Sequence, residues 1–272
     1  MKKKKILIFS GTHPRHIYVS SAILKFKEKI EIKVIFMKRE EINPKPEKNL
    51  NKTDKKNFIF HFNKRKEKEY KNFGNLKYEK IFKNINYNVI KSNKLNSEKT
   101  YNLVKKFNPD FVFIFGIDLI KKPLINFIKD KSINLHLGLS PWYKGSATLF
   151  WPFYMLQPQY AGVTFHRITN GIDDGEILHQ STPKLSKNDG IHDVAIKAVK
   201  KSKKDLEKIF IKFLKNKKFK FYKQNKNAGK TFYTNTFKSH HLRLIYDLFN
   251  DKIVRYYLNN KKRKKIKLIS FV

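Results

Sequence analysis

The sequence predicts an α/β protein built on a doubly wound, mostly parallel sheet. Up to residue 137, short apolar runs typical of buried strands alternate with amphipathic stretches typical of helices. Residues that favour turns or stop helices, such as Pro109 and Gly116, separate these runs. With 272 residues, 40% of them hydrophobic, the chain can form one main core. We expect a main domain over residues 1–225 and a small basic, aromatic and helical extension over 226–272.

The individual strands and helices are predicted from hydrophobic periodicity and from the residues that bound each run. The predicted strands lie at 6–9, 32–37, 111–115, 133–137, 163–168 and 176–180. The predicted helices lie at 17–29, 97–107, 148–156, 191–214 and 239–249, with a short one beginning at 123. Residues 39–70 are dense in Lys, Glu, Asn and Pro around one apolar island at 58–62. We expect this stretch to form a solvated excursion.

The formal net charge of +39 indicates either a polyanionic partner or a biased composition. The excess is spread along the chain, is almost entirely lysine, and is accompanied by many Asn, Ile and Phe residues. This pattern favours compositional bias with solvated faces. The alternative is a nucleic acid or another polyanion bound by a basic cluster near the C-terminus, which comprises Lys261, Lys262, Arg263, Lys264, Lys265 and Lys267.

Composition also excludes several kinds of site and location. The chain has no cysteine, which excludes disulfides, thiolate metal sites and a cysteine nucleophile. The apolar run at residues 6–9 is too short for a signal peptide, and no stretch of about 18 apolar residues is available to span a membrane. We therefore expect a soluble, cytoplasmic protein with no membrane partner.

Asn134 and His136 are the best candidates for chemistry. Residues two apart in a strand point to the same face, and both lie at the carboxyl end of a predicted strand, where doubly wound sheets bind ligands. An amide that donates to an oxyanion, an imidazole that exchanges protons and a carboxylate that orients it suit attack on a carbonyl group. The spacing alone is common, however, and such pairs often bond only to backbone groups.

Four motifs follow one another in this part of the chain. They are Asn-x-His at 134–136, a Pro-containing loop ending in Lys-Gly at 139–145, Ala-Gly-Val-Thr-Phe-His at 161–166, and Ile-Asp-Asp-Gly at 172–175. In this order they resemble the formyltransferase family of methionyl-tRNA formyltransferase, glycinamide ribonucleotide formyltransferase and the nucleotide-sugar N-formyltransferases. The resemblance implies a formyltransferase-type, Rossmann-like fold and a metal-free reaction. It also implies a catalytic set made of Asn134, His136 and Asp173.

The sequence departs from the family pattern at two places. The usual Leu-Pro of the loop reads Ser140-Pro141, and Asp173 is followed by a second carboxylate, Asp174. The spacing to Gly175 favours Asp173 as the catalytic carboxylate, and Asp174 stays as the alternative.

The resemblance further implies binding sites for two substrates. The formyl donor, 10-formyltetrahydrofolate, would be bound by Phe115, Gly116, Ile117, Asp118, Leu119, Ser140, Pro141 and Gly145. A turn and helix N-terminus after the first strand would hold a phosphate of the acceptor. The residues of that turn are Ser10, Gly11, Thr12, His13 and Arg15. The alternative is that the segments 115–119 and 10–15 are ordinary strand-to-helix turns that bind no ligand.

The acceptor implied by the resemblance is a primary amine. The stretch 161–177 is most similar to the nucleotide-sugar enzymes, which favours a nucleotide-linked amino sugar or a similar small phosphorylated amine. Methionyl-tRNA is an alternative that the positive charge favours, although the residues after 226 look too few and too helical for a tRNA-binding barrel. Two further alternatives are hydrolysis of the donor and nucleic-acid binding without catalysis. The oligomeric state is not predicted.

Overall fold

The computed structural model describes residues 3–38, 44–225, 227–260 and 266–272. Seven strands form the main sheet: β1 (Lys4–Gly11), β2 (Ile30–Lys38), β3 (Asn86–Lys91), β4 (Phe111–Phe115), β5 (Ser132–His136), β7 (Val163–His166) and β8 (Ile177–Ser181). Their order is β3-β2-β1-β4-β5-β7-β8. The first five run parallel, whereas β7 and β8 are antiparallel to their neighbours. The prediction of an α/β fold with a mostly parallel sheet is confirmed.

Two short strands form a separate parallel pair, and helices cover both faces of the main sheet. The pair consists of β6 (Tyr143–Gly145) and β9 (Lys230–Phe232). The helices are α1 (Pro14–Ser20), α2 (Lys52–Phe73), α3 (Tyr78–Ile81), α4 (Glu98–Phe107), α5 (Leu124–Ile128), α6 (Trp151–Tyr154), α7 (Ile191–Leu214) and α8 (Ile253–Asn259). A 3-10 helix, Ser21–Lys29, continues α1. No helix in the described part of the chain is long and apolar enough to cross a membrane.

The core lies on both sides of the sheet because alternate residues of each strand point to opposite faces. On β1, Ile6 and Ile8 pack in the cluster that contains α1 and α7. Leu7 and Phe9 pack in the cluster that contains α4 and α5. A strand that is apolar at every position is what a two-sided sheet requires, and this explains why the run at 6–9 predicted β1 correctly.

The expectation of a solvated excursion at 39–70 is wrong for most of its length. Residues 39–43 lie outside the described ranges, but Lys52–Phe73 forms the 22-residue helix α2. Asn51 caps this helix, because its side-chain oxygen accepts a hydrogen bond from the N–H of Asp54 at 2.9 Å.

The C-terminal extension supplies much of the surface against which α2 packs. Phe58 is buried in a cluster that includes residues of the extension. Arg243 donates from Nε and Nη2 to the two carboxylate oxygens of Asp54, at 2.6 and 2.8 Å. Lys64 lies 2.9 Å from a carboxylate oxygen of Asp251. The apolar stripe of α2 is narrow and its partners lie far along the chain, so local periodicity did not reveal the helix.

The extension is less regular than predicted. In place of one helix at 239–249 there is a 3-10 turn, Ser239–His241, followed by a π-helical turn, Leu244–Leu248. The last residues lie beside β8, where the N–H of Gln180 donates to the carbonyl of Ile269 at 2.7 Å.

The division of the chain at 225/226 stays a prediction. Residue 226 and residues 261–265 of the basic cluster lie outside the described ranges. One strand of the main sheet was not predicted, the edge strand β3, because it pairs only with β2 and lacks a continuous apolar run. The short strands β6 and β9 of the separate pair were not predicted either.

Candidate active site

A cavity of about 560 Å³ opens where β4 and β5 end. Its lining includes Asn134 and His136 from β5, the loop that follows β4, and Asp173 from the loop between β7 and β8. Cavities of this size are typical of small-molecule sites, and the carboxyl end of a parallel sheet is their usual position. The structure thus brings the three predicted catalytic residues into one cavity.

His136 connects the end of β5 to the carboxylate of Asp173. The imidazole is buried, with 7% of the residue exposed. Its Nε2–H donates to the carbonyl of Tyr143 at 2.9 Å, and its Nδ1 lies 3.2 Å from Oδ2 of Asp173. When the ring is neutral, the bond to Tyr143 assigns its proton to Nε2 and leaves a lone pair on Nδ1. One further proton can therefore be held between His136 and Asp173.

Asp173 is fixed by hydrogen bonds to both its side chain and its backbone. The N–H of Gly145 donates to Oδ2 at 2.9 Å. Gln224 Nε2 donates to the carbonyls of Asp173 and Gly175, at 2.8 and 2.7 Å. Asp173 has a φ of 49°, in the left-handed region that Asp tolerates better than most residues. This turn directs its carboxylate toward His136.

The neighbouring carboxylate of Asp174 has a different environment. Its side chain is exposed and accepts a hydrogen bond from the hydroxyl of Thr169. Among the described residues that line the cavity, Asp173 is present and Asp174 is not. The geometry therefore favours Asp173 over Asp174 as the partner of His136.

His166 joins this group, and sequence reasoning missed it. It lies on β7 directly opposite Asn134 on β5. Asn134 Nδ2 donates to His166 Nε2 at 3.1 Å, and His166 Nδ1–H donates to the carbonyl of Arg167 at 2.7 Å. The same Nε2 lies 3.3 Å from Oδ1 of Asp173. His166 ends the motif at 161–166, but only the pairing of β5 with β7 brings it to Asn134.

The buried carboxylate and imidazole have shifted pKa values. Burial by itself would raise the pKa of Asp173, but His136, His166 and the N–H of Gly145 outweigh burial and hold the pKa well below its usual range. Burial lowers the pKa of His136, and the nearby carboxylate offsets only part of that shift. At neutral pH the site holds an ionised carboxylate beside a neutral imidazole, a pair that can take up one proton.

The loop after β4 forms another part of the lining. Gly116 has a φ of 72°, and a Cβ atom there would overlap the ring of His16, so the turn requires glycine. Asn96 fastens the loop: its Nδ2 donates to the carbonyl of Leu119 at 3.0 Å, and its Oδ1 accepts from the N–H of Lys121 at 2.7 Å. The predicted donor-binding residues that line the cavity from this loop are Phe115, Gly116, Ile117, Asp118 and Leu119.

Comparison with known proteins decides the family. The family model described as formyl transferase matches residues 4–210, well over half of the chain. This chain belongs to the formyl transferase family. The recognition made from the four motifs is confirmed.

Individual members of the formyl transferase family match shorter segments. The methionyl-tRNA formyltransferase of Finegoldia magna is 28% identical over 102 residues, which are 37% of this chain and 33% of that protein. The GDP-perosamine N-formyltransferase of Brucella melitensis biotype 1 is 26% identical over 118 residues, 43% of this chain and 45% of that protein. The chain thus spans less than half the length of these relatives.

A solved formyl transferase structure has the same fold. It is WlaRD, a sugar 3N-formyl transferase crystallised in the presence of dTDP and 5-N-formyl-THF. It superposes with a TM-score of 0.55 and 22% sequence identity, covering 88% of this chain and 72% of that chain. At this identity the likeness shows the fold alone.

Two of the predicted donor-binding residues of this formyl transferase lie outside the cavity lining, namely Ser140 and Pro141. Ser140 is fully buried. Its N–H donates to the hydroxyl of Thr164 at 3.0 Å, and its carbonyl accepts from Nε2 of Gln180 at 2.6 Å. Gly145 does line the cavity. Ser140 is therefore packed behind the cavity lining, and a direct contact of Ser140 or Pro141 with the donor stays a prediction.

The turn after β1 is also packed rather than open. Ser10 is buried and accepts a hydrogen bond from the hydroxyl of Ser20 at 3.0 Å. A Cβ atom on Gly11 would overlap the ring of His16. Of the five residues predicted to bind the acceptor, Arg15 lines the cavity, and the other four do not: Ser10, Gly11, Thr12 and His13. Phosphate binding by these four stays a prediction without support from the lining.

A second group of lining residues comes from α1, α2 and α7. These are Arg15, His61, Arg65, Glu69 and His192, which we call the helix wall. Asn134, His136, His166 and Asp173 form the strand wall. In the helix wall, Nη2 of Arg15 lies 2.5 Å from Oε1 of Glu69. Nδ1 of His61 lies 2.7 Å from the hydroxyl of Tyr246 in the extension. Sequence reasoning missed the α2 members because it placed them in a solvated excursion.

Proposed function

We propose that this formyl transferase moves a formyl group from 10-formyltetrahydrofolate to the primary amine of a nucleotide-linked amino sugar. The observation that carries the proposal is the convergence of Asn134, His136 and Asp173 in one cavity with the loop after β4. Family membership supports the reaction type.

The lining near the loop fits the ring system of a folate. It combines the backbone of Gly116 to Leu119 with the apolar side chains of Ile114, Leu135 and Ile168. Apolar walls suit a flat ring, and backbone N–H and C=O groups suit the polar edge of a pterin. A bound 10-formyltetrahydrofolate would supply the formyl group, and its N10 atom would be the leaving group as tetrahydrofolate forms.

Asn134 is placed to stabilise negative charge on the formyl oxygen. Its amide has two N–H groups, of which one donates to His166 Nε2 at 3.1 Å. The second can donate to the oxygen of the carbonyl under attack, as in an oxyanion hole. His166 therefore acts as a positioning residue that orients the amide of Asn134.

His136 and Asp173 are placed to move the proton of the amine. As the new C–N bond forms, the amine loses a proton, which the Nδ1 and Oδ2 atoms can hold across their 3.2 Å contact, directly or through a water. The protonated imidazole adds positive charge near the oxyanion. His136 and Asp173 then return the proton to the nitrogen of the donor as the old C–N bond breaks.

The size of the cavity supports a small acceptor. The cavity measures about 560 Å³, and its lining includes the helix wall and residues of the extension such as Tyr233 and Phe237. Tyr233 is 60% exposed, so its ring is available to a base or sugar at the cavity mouth. A nucleotide-sugar substrate has a flat base, which matches the exposed ring of Tyr233, and a charged linker, which matches the arginines of the helix wall.

The test is formyl transfer by the whole chain. Tetrahydrofolate release from 10-formyltetrahydrofolate would be followed with dTDP- and GDP-linked amino sugars, with glycinamide ribonucleotide and with no amine. We expect release with an amino-sugar nucleotide and little without amine. A folded protein that releases no tetrahydrofolate with any amine would contradict the proposal. Equal release without amine would show donor hydrolysis instead.

Methionyl-tRNA is the second candidate acceptor. The match to the Finegoldia magna enzyme and the net charge of +39 favour it. Filter binding of methionyl-tRNA at physiological salt, with unrelated RNA as competitor, separates the two acceptors. Tight binding that survives the competitor would favour the tRNA, whereas binding lost to the competitor is the non-specific attraction expected of a basic surface.

A further inference from the structure

Arginine is rare in this chain but is the cation that lines the cavity. The sequence has 54 lysines and seven arginines. Among the described residues of the lining there are two arginines, Arg15 and Arg65, and no lysine. A lysine-rich composition does not explain this choice. Arginine presents a planar set of donors that matches the oxygens of phosphate, and it is less strongly hydrated than lysine.

The two guanidinium groups are close enough to repel each other. Burial and the charge of Arg15 lower the pKa of Arg65 to about 10, and Glu69 offsets only part of this shift. Arg65 remains a cation at neutral pH. Its Cζ atom lies 4.6 Å from the ring centre of Phe62, within the range of a cation–π contact.

Glu69 is the one carboxylate of the helix wall, and it is engaged by Arg15 at 2.5 Å. The two histidines add no charge. Burial and the nearby cations of Lys64, Arg65 and Arg15 lower the pKa of His192 to about 3, and burial lowers the pKa of His61 well below its usual value. The helix wall therefore has one positive charge in excess within a partly buried cavity.

We propose that Arg65, with Arg15, forms a subsite that binds a phosphate group of the acceptor, and that the carboxylate of Glu69 competes with the phosphate for Arg15. The inference rests on the proposed function, which places the amine of the acceptor at the strand wall of the same cavity. It moves the phosphate site from the turn after β1 to the helix α2. A diphosphate linker has enough oxygens to accept from both guanidinium groups.

The test uses inorganic pyrophosphate as the probe, titrated calorimetrically into the full chain. Arg65→Gln should weaken binding by about tenfold or more, the loss of one charge-assisted hydrogen-bonded contact. Lys66→Gln is the matched control, because it removes the same charge from an exposed neighbour on the same helix. It should change binding by less than about twofold. Equal weakening by the two variants would overturn the subsite, since it would show only general attraction to a basic surface.

Glu69→Gln gives a change of opposite sign. Removing this carboxylate raises the positive charge beside Arg15 and Arg65, so pyrophosphate should bind more tightly, by several-fold. Weaker binding in Glu69→Gln would contradict the subsite. Arg65→Lys, which keeps the charge but loses the planar donors, should bind with intermediate affinity.

Tetrahydrofolate binding by the same samples separates this inference from the proposed function. Arg65→Gln should keep both its fold and its affinity for tetrahydrofolate. If pyrophosphate binding depends on Arg65 but no amine is formylated, the subsite stands and the proposed function fails. If amines are formylated but Arg65→Gln binds pyrophosphate as the wild type does, the subsite fails and the proposed function stands.

Discussion

The strand wall and the helix wall face one cavity but are built in different ways. The strand wall comes from a segment of about forty residues, 134–173, in which β5, β7 and their loops place each group. The residues of the helix wall come from three separate helices, α1, α2 and α7, and Tyr246 of the extension contacts His61. The proposed chemistry is therefore encoded within one segment of the chain, whereas the proposed acceptor surface depends on tertiary packing. The predictions below separate the two walls by kinetics and by stability.

The largest effect is expected from His136→Asn in the strand wall. This variant removes the group that exchanges a proton with Asp173, and we expect kcat to fall by about 10³-fold. KM for the acceptor should change little, because the helix wall is intact. The measurement is steady-state tetrahydrofolate release with a saturating amine.

The matched control is His240→Asn, which changes an exposed histidine outside the cavity lining. Its kcat should stay within about twofold of the wild type. A fall of less than about tenfold in His136→Asn would remove His136 from the chemistry.

A smaller kinetic effect is expected from Asn134→Ala. The amide that would donate to the oxyanion is lost, and removal of one such donor typically costs about 10²-fold in kcat. His136 and Asp173 remain in contact, so the dependence of the rate on pH should keep its shape. A changed acid limb in the pH–rate profile would show that Asn134 acts on the proton transfer instead.

Lowering the pH should destabilise the fold, because two buried histidines of the helix wall bind protons more readily in the unfolded chain. The pKa of His192 falls to about 3 and that of His61 falls well below its usual value of 6.5 on folding. Below pH 6.5 the unfolded chain therefore binds more protons than the folded one, and stability falls as pH falls. His192 should cost about 2 kcal/mol between roughly pH 6.5 and pH 5, and His61 should add a loss of the same sign. Urea unfolding at both pH values measures this loss.

The variant His192→Asn should remove the part of that acid loss that comes from His192, about 2 kcal/mol. Its free energy of unfolding should depend less on pH than that of the wild type, whatever its value at neutral pH. An unchanged dependence on pH would mean that His192 titrates normally in the folded protein.

The smallest effect is expected from Tyr246→Phe, which tests how the extension supports the helix wall. It removes the hydroxyl that lies 2.7 Å from Nδ1 of buried His61, and should cost about 1–2 kcal/mol of unfolding free energy. Tyr256→Phe, at a residue 52% exposed, is the control and should cost less than about 0.5 kcal/mol. Equal costs would show that the contact with His61 does not contribute to stability.

The main sheet could be predicted because its strands are apolar on both faces. The run at 6–9, bounded by polar residues, identified β1, and Asn108-Pro109 marked the start of β4. Helix α2 could not be predicted, since its buried face is narrow and its partners, such as Arg243 for Asp54, lie in the extension. Edge strand β3 was missed for a related reason, because it has little buried surface of its own.

The candidate site shows the same division. Asn134, His136 and Asp173 were found from their motifs, and the structure places them in one cavity. His166 was missed because its contact with Asn134 depends on the antiparallel pairing of β5 and β7. The turn after β1 was expected to bind a phosphate, but Ser10 is buried against Ser20. Sequence motifs therefore predicted three residues that meet in the cavity, but not their cross-strand partner His166, nor that the turn after β1 is packed.

The role proposed for Asp173 is tested most directly by comparing two adjacent carboxylates. Asp173 contacts His136 inside the cavity, whereas Asp174 is exposed and contacts Thr169. The measurement is the single-turnover rate of formyl transfer in Asp173→Asn and Asp174→Asn. We expect a fall of about 10³-fold for Asp173→Asn and a rate within about twofold of the wild type for Asp174→Asn. Loss of the rate in Asp174→Asn alone, with Asp173→Asn active, would contradict the role proposed for Asp173 beside His136.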